Sequence, residues 1–169
     1  LGFAGNSYGQ DFEETKLLAE QGDAYAQYNL GFIYYFGDGV PQNYEEAFKW
    51  FLLAAKQGYP AAQYNLGLMY ARGDGVPEND AEAAKWYRLA AEQGDVNAQY
   101  HLGLMYYGGL GVPENYVKAY VWWSVAAAQG NEYAKTGRNA FSGLLTRDQI
   151  ARGQEIATRC FESDYQDCD

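Results

Sequence analysis

Residues 22–57 read GDAYAQYNLGFIYYFGDGVPQNYEEAFKWFLLAAKQ, residues 58–93 read GYPAAQYNLGLMYARGDGVPENDAEAAKWYRLAAEQ, and residues 94–129 read GDVNAQYHLGLMYYGGLGVPENYVKAYVWWSVAAAQ. The three stretches align without gaps at a spacing of 36 residues. A period of that length marks supersecondary units that stack because none can bury its apolar face alone.

Within a unit the signals define two helices. Gly22, Gly58 and Gly94 open the units, Asp23 and Asp95 stand where an N-cap belongs, and Pro60 stands at the first helical position of the second unit. Ala26, Leu30 and Tyr34 recur at helical spacing, as do Ala62, Leu66, Tyr70 and Ala98, Leu102, Tyr106, which predicts one buried stripe. Gly31, Gly67 and Gly103 fall mid-helix, where glycine costs about 1 kcal/mol against alanine. Their recurrence predicts a packing reason, the close approach of a neighbouring helix. The loop GDGVPQN, GDGVPEN or GLGVPEN then breaks the helix, because glycine permits positive φ and proline cannot continue the ladder. Asn43, Asn79 and Asn115 are placed to cap a second helix, with Glu46 and Glu82 in capping-box register. In that helix Ala47, Trp50 and Ala54, and their counterparts Ala83, Trp86, Ala90 and Ala119, Trp122, Ala126, form a second stripe in which the tryptophans read as core anchors.

The ends deviate, as terminal repeats do. Residues 8–21 occupy the register of a second helix without its Trp, so 1–21 reads as an N-terminal partial repeat. After the full repeats 22–57, 58–93 and 94–129, Ala134 keeps register while Lys135, Thr136 and Gly137 lose the motif. A capping box at Thr146 and Gln149 starts a helix that runs to about Phe161 and covers the last apolar face, making 130–169 a set of C-terminal capping helices and tail. The expectation is a single domain over 1–169, all-α, folded as a right-handed α-solenoid of stacked helical hairpins.

A chain of 169 residues with 48% hydrophobic content buries a real core. Its 12 basic and 22 acidic residues leave a net charge of −10, which argues against nucleic acid or anionic lipid as partner. No apolar run reaches the length of a membrane-spanning helix, so no membrane insertion is expected. No signal peptide opens the chain at Leu1, which fits a processed or a trimmed protein. Cys160 and Cys168 read either as free thiols on a frayed tail or as a disulfide closing a short loop. The bridge requires the helix to end near Glu162 or Ser163 and the tail to fold back, and it is favoured because it pins an end that otherwise frays.

No metal, cofactor or catalytic residue is expected. CxxC spacing is absent, and His101 is the one histidine, which leaves no zinc set. Asp38 and Asp74 lack the spaced acidic series of a calcium loop, their third counterpart is Leu110, and solvated turn residues explain them better. There is no GxSxG, HExxH or phosphate loop.

If the first stripe is buried, the exposed groove should carry positions 25, 28, 32, 35 and 36 of the first unit and their counterparts, with 29 at the margin. Tyr28, Tyr64 and Tyr100 recur, which also fits a structural role. The members expected to bind a partner are Tyr25, Asn29, Phe32, Tyr35 and Phe36, then Asn65, Leu68 and Arg72, then Asn97, His101, Leu104 and Tyr107. Tyrosine and arginine are types enriched among binding hot spots. Asn29, Asn65 and His101 share one equivalent position, suited to a hydrogen bond with a peptide backbone or carboxylate; for His101 a partly exposed polar residue is the plainer reading.

The pattern AQYNLGxxYxxGxGVPxN followed by AxKWxxxAA resembles the Sel1-like repeat family, relatives of the tetratricopeptide repeats, over residues 22–129. The resemblance implies an α-solenoid whose first helices line a concave surface that binds proteins, often in bacterial envelope, secretion or signalling assemblies. Many members are periplasmic or exported, and LTRDQIARGQ resembles their terminal helix. Cysteine-rich members staple helices with cysteines eight apart, a spacing Cys160 and Cys168 show once. The implied function is a non-catalytic scaffold that binds a protein or peptide segment as a monomer or weak homo-oligomer in the periplasm or outside the cell. The acidic surface favours a neutral or basic partner. The alternative is a peptidoglycan- or β-lactam-related enzyme of the cysteine-rich type, for which no serine stands in a recognisable setting.

Overall fold

The computed structural model describes residues 7–169, with side chains from residue 12 onward; residues 1–6 of the expected partial repeat lie outside the described residues. Among the described residues there are nine α-helices, one 3₁₀ turn at Ser142–Leu144, and no strand. The helices are α1 Ser7–Glu20, α2 Ala24–Phe36, α3 Tyr44–Lys56, α4 Pro60–Arg72, α5 Asp80–Ala91, α6 Val96–Gly108, α7 Tyr116–Ala128, α8 Glu132–Phe141 and α9 Arg147–Glu162. They fall into two compact units, Leu1–Glu78 with α1 to α4 and Asn79–Asp169 with α5 to α9.

Local capping sets where the helices begin. The Asp23 carboxylate accepts from the Ala26 N–H at 2.7 Å, and Asp95 accepts from Ala98 at 2.8 Å. Tyr59 caps α4 with no side-chain bond, and Pro60 there supplies the preset φ of a first turn. Asn43, Asn79 and Asn115 each accept from the N–H three residues on, at 3.1, 3.1 and 3.0 Å. The capping boxes expected at Glu46 and Glu82 do not close. In the first, the Asn43 N–H already donates to the Tyr34 carbonyl at 2.8 Å, which ties the second helix to the first. Both glutamates turn instead to a lysine one turn on, Lys49 and Lys85. The reciprocal box does form at Thr146 and Gln149, at the start of α9.

The first stripe is buried at Leu30, Leu66 and Leu102, which are fully enclosed, as are Ala62 and Ala98, while Tyr34 and Tyr70 at its end are half-buried. Between stripe residues stands a glutamine that is buried too. Gln27, Gln63 and Gln99 donate through Nε2 to the carbonyls of Ala19, Ala55 and Ala91 at 3.1, 3.2 and 3.2 Å. These carbonyls lie in the last turn of the preceding helix, where each also accepts from the N–H of the glycine three residues on, and the glutamine takes the second lone pair. A second glutamine completes the link, Gln57 donating to Gln27 Oε1 at 2.8 Å and Gln129 to Gln99 Oε1 at 2.7 Å. Ala19 thus stands where Ala55 and Ala91 stand, which places α1 in the register of a second helix.

Gly31 and Gly103 have the packing reason expected of the mid-helix glycines. A Cβ on Gly31 would lie 2.7 Å from Phe51 Cδ1, and one on Gly103 would lie 2.5 Å from Trp123 Cδ1. What approaches is an aromatic ring of the hairpin partner rather than helix backbone. Phe51, Tyr87 and Trp123 are each about 1% exposed, and they follow directly on Trp50, Trp86 and Trp122. Of those tryptophans Trp122 is fully buried and the other two half-buried, and all three bury the indole N–H without a protein partner, so packing holds them. In the loop before α7, Gly111 has φ +65°, and any Cβ there would strike the Asp80 carbonyl, so only glycine fits.

At the C-terminal end α8 and α9 each lie against α7 and barely meet one another. Gly153 lets α9 down onto Tyr120, whose Cδ1 would stand 2.8 Å from a Cβ. After Glu162 the chain turns through Asp164 and Tyr165, both with positive φ, and Cys160 and Cys168 are joined by a disulfide with Cα atoms 4.4 Å apart. The returned tail places the Asp169 carboxylate 2.6 Å from Lys118 Nζ and 3.3 Å from Arg88 Nη1. The Lys118 hydrogen bond, and the Arg88 charge beyond it, hold the Asp169 carboxyl below its usual range, against burial that pushes it up. A folded-state value below the unfolded one means that this contact is present above about pH 4 and is lost as pH falls through the lowered value. The NMR shifts of the Asp169 and Lys118 side chains should therefore change together below about pH 4, while the Tyr165 amide inside the disulfide loop stays protected.

Candidate partner-binding site

In the first unit six of the expected residues meet around one pocket of about 100 Å³. Phe32, Tyr35 and Phe36 come from α2, Asn65, Leu68 and Arg72 from α4, and Phe51 of α3 closes the back. Residues 32 and 36, like 68 and 72, are four apart and so stand one above the other on their helices. The Phe32 and Phe36 rings are 4.6 Å apart at 45°, with Tyr35 5.0 Å from Phe36. Phe32 remains 44% exposed and Phe36 59% exposed, large apolar area that the described residues leave open.

One polar edge is fixed. The Tyr35 hydroxyl donates to Asp74 Oδ2 at 2.8 Å and accepts from Arg72 Nη1 at 3.3 Å. Burial, with the Asp74 carboxylate added, pushes the Tyr35 phenol up, so it stays a neutral donor. Asp74 is accordingly no mere solvated turn residue: it orients Tyr35, and through Tyr35 the guanidinium at the pocket rim. The arrangement can take one aliphatic or aromatic side chain against the rings while Arg72 and Asn65 offer donors to a carbonyl or carboxylate beside it.

Six other expected residues stand elsewhere. Tyr25 is 62% exposed, with its ring edge-on to Tyr59, and Asn29 is half-buried outside the pocket. In the second unit Asn97 is exposed and Leu104 half-buried. His101 stacks on Tyr87 at 5.1 Å and 18°, which makes its ring part of the packing. Tyr107, the counterpart of Tyr35, is covered by Phe141 at 4.2 Å and flanked by Trp123 and Tyr116, so it is no open groove residue. Gly108 stands where the first unit has Phe36, which removes the outer ring altogether. Phe51 is the lining residue that the sequence reading passes over, although aromatics at 51, 87 and 123 mark the position. Nor does any sequence expectation point to a larger cleft of about 690 Å³ between α8 and α9. Among the described residues no group of three His, Cys, Asp or Glu could hold a metal ion, and no helix is long and apolar enough to cross a membrane.

The sequence pattern of the Sel1 repeat family matches residues 24–59, 60–95 and 96–131. A Sel1 repeat protein from Oxalobacter formigenes has a crystal structure that superposes with a TM-score of 0.71 at 44% identity, over 78% of this chain and 98% of that one. A protective antigen present in uropathogenic Escherichia coli strains, described as displaying an SLR fold, superposes with a TM-score of 0.85 at 38% identity, over 93% of this chain and 34% of that one. Helicobacter pylori cysteine rich protein B shares the fold, with a TM-score of 0.62 at 21% identity over 79% of this chain and 98% of that one. A putative sel1-like repeat-containing protein of Acanthamoeba polyphaga mimivirus is 50% identical over 38 residues, 22% of this chain and 6% of that protein. The fold class is thus the all-α solenoid expected from the repeats.

Proposed function

The chain belongs to the Sel1 repeat family, and on that premise we propose that it is a non-catalytic interaction module that captures a protein or peptide segment in the aromatic pocket of its first unit. The observation that carries the proposal is the exposed pair Phe32 and Phe36 set beside an oriented Arg72, since aromatic and arginine side chains in a pocket are what binding hot spots are made of. A net charge of −10 favours a neutral or basic segment, whose apolar side chain packs against the rings while a backbone carbonyl meets Arg72. The disulfide fits an oxidising compartment, so the module works in the periplasm or outside the cell. Whether one copy or a weak homo-oligomer does so, the pocket is complete within a single chain.

Selecting displayed peptides on the immobilised protein tests this. Peptides enriched on the wild type should bind the Phe36→Ala, Arg72→Ala double variant at least about tenfold more weakly. Melting should stay within about 2 °C of wild type, because Phe36 is mostly exposed and Arg72 lies at the rim. Selected peptides that bind both proteins equally would remove the pocket from the proposal. Nitrocefin turnover above that of a denatured control would overturn its non-catalytic part.

A further inference from the structure

We propose that the cleft between α8 and α9 in the second unit is a second binding site, built for a short apolar peptide of one to three residues with both termini free. The site is distinct from the pocket of the first unit and shares no residue with it.

The cleft exists because the residues that close a hairpin have been exchanged. In the full repeat of the second unit Leu102 and Tyr106 fill the space beside the partner helix, and Gly103 receives the ring of Trp123. Counting 36 residues on, these positions become Arg138, Asn139 and Ser142. On the second helix Trp123 stands eight residues after its cap Asn115, and eight residues after the cap Thr146 stands Gln154. All four closing positions have turned polar, and all four line the cleft of about 690 Å³ that results. That volume is within the range of sites that enclose small ligands.

The lining also specifies the ligand. Its floor is apolar, with Val125 and Ala128 from α7 and Ile150, Ala157 and Phe161 from α9. Arg138 on the α8 wall and Glu162 at the end of α9 both line it. Neither charge joins any ion pair among the described residues, with the other or with a third group. Arg138 donates from Nε and Nη2 only to the neutral Asn139 amide, at 3.2 Å each, so its charge is positioned and not neutralised. A cation and an anion held apart over an apolar floor match a zwitterion with an apolar body. A carboxylate terminus meets Arg138, an ammonium terminus meets Glu162, the side chains lie on the floor, and Asn139 and Gln154 serve the amides between. A dication or a dianion would satisfy one wall and oppose the other.

Phenylalanine, Leu-Phe and Leu-Leu-Phe, titrated into the ¹⁵N-labelled full chain, test this. At least one should give saturable shifts at the amides of Ser124, Asn139 and Gln154. For the best of the three, N-acetylation and C-amidation should each weaken binding about tenfold. Arg138→Gln should abolish the effect of the C-terminal cap and Glu162→Gln that of the N-terminal cap. The capped ligands are compared on wild-type protein, so that result stands even if a variant fails to fold. No saturable shift at those amides with any of the three, or an affinity unmoved by either cap, overturns the site.

Discussion

Gly103→Ala is expected to lower the stability of the second unit by about 2 kcal/mol, although alanine in an ordinary helix interior gains about 1 kcal/mol over glycine. The added methyl would sit 2.5 Å from Trp123 Cδ1 and Nε1. The ring has little room to yield. It is 1% exposed, its Nε1 donates to the Tyr100 carbonyl at 3.2 Å, and Tyr107 and Phe141 lie on it at 5.8 and 5.7 Å. Gly137, a mid-helix glycine on α8, provides the contrast, because a Cβ there would meet the same tryptophan at 3.4 Å, an ordinary contact. Gly137→Ala should therefore raise stability by about 0.5–1 kcal/mol from helix propensity alone. Denaturant melts of both variants read the difference directly. Adding Trp123→Leu to Gly103→Ala should cost less than the sum of the two single changes, since each removes one side of the same contact. A Gly103→Ala protein as stable as wild type would mean that the ring gives way, and the recurrent glycine would need another reason.

That contact also separates what is local in the chain from what is not. Caps and helical stripes are local, so Asp23, Asn43 and the Ala26, Leu30, Tyr34 series are enough by themselves to announce the hairpin. Whether residue 50 or 51 faces Gly31 is not local, because both border the stripe and the choice depends on how the two helices roll against each other. Gln27, Gln63 and Gln99 look like surface residues by type; their burial depends on carbonyls eight residues back in a different helix. The first-unit pocket was legible because α2 and α4 present equal registers 36 residues apart, and equal registers in neighbouring repeats point the same way. Tyr107, which equal registers put among the groove residues, is covered by Phe141 of the altered α8, a long-range contact that register alone does not carry. The loss of motif at Lys135 to Gly137 signals that the last hairpin differs, but only the packing of α8 and α9 on α7 shows that it stands open.

Replacing Cys160 and Cys168 together with alanine should destabilise the second unit by about 2 kcal/mol, the order expected for releasing a loop of roughly eight residues in the chain-entropy account. The remaining contacts of the tail are too weak to hold it. Asp169 with Lys118 and Arg88, and Asp167 with Arg159, are partly exposed ion pairs, each worth about 0–1 kcal/mol. Gln166 adds one hydrogen bond to the Glu92 carbonyl at 2.9 Å. Against them stands ordering at about 1–2 kcal/mol per residue, and Asp164 and Tyr165 sit at φ 51° and 65°, where side chains with a Cβ cost roughly another 1 kcal/mol each. The tail should therefore undock in the variant while α7 and α9 persist, and the Tyr165 amide, which donates to the Cys160 carbonyl at 2.8 Å, should lose its protection from exchange. Lys118→Met with the bridge intact separates the two causes, because a tail held by the disulfide keeps that protected amide when one ion pair is gone. If instead Lys118→Met frees the tail and the alanine pair does not, the carboxylate of Asp169 is the anchor and the disulfide only follows the fold it was thought to impose.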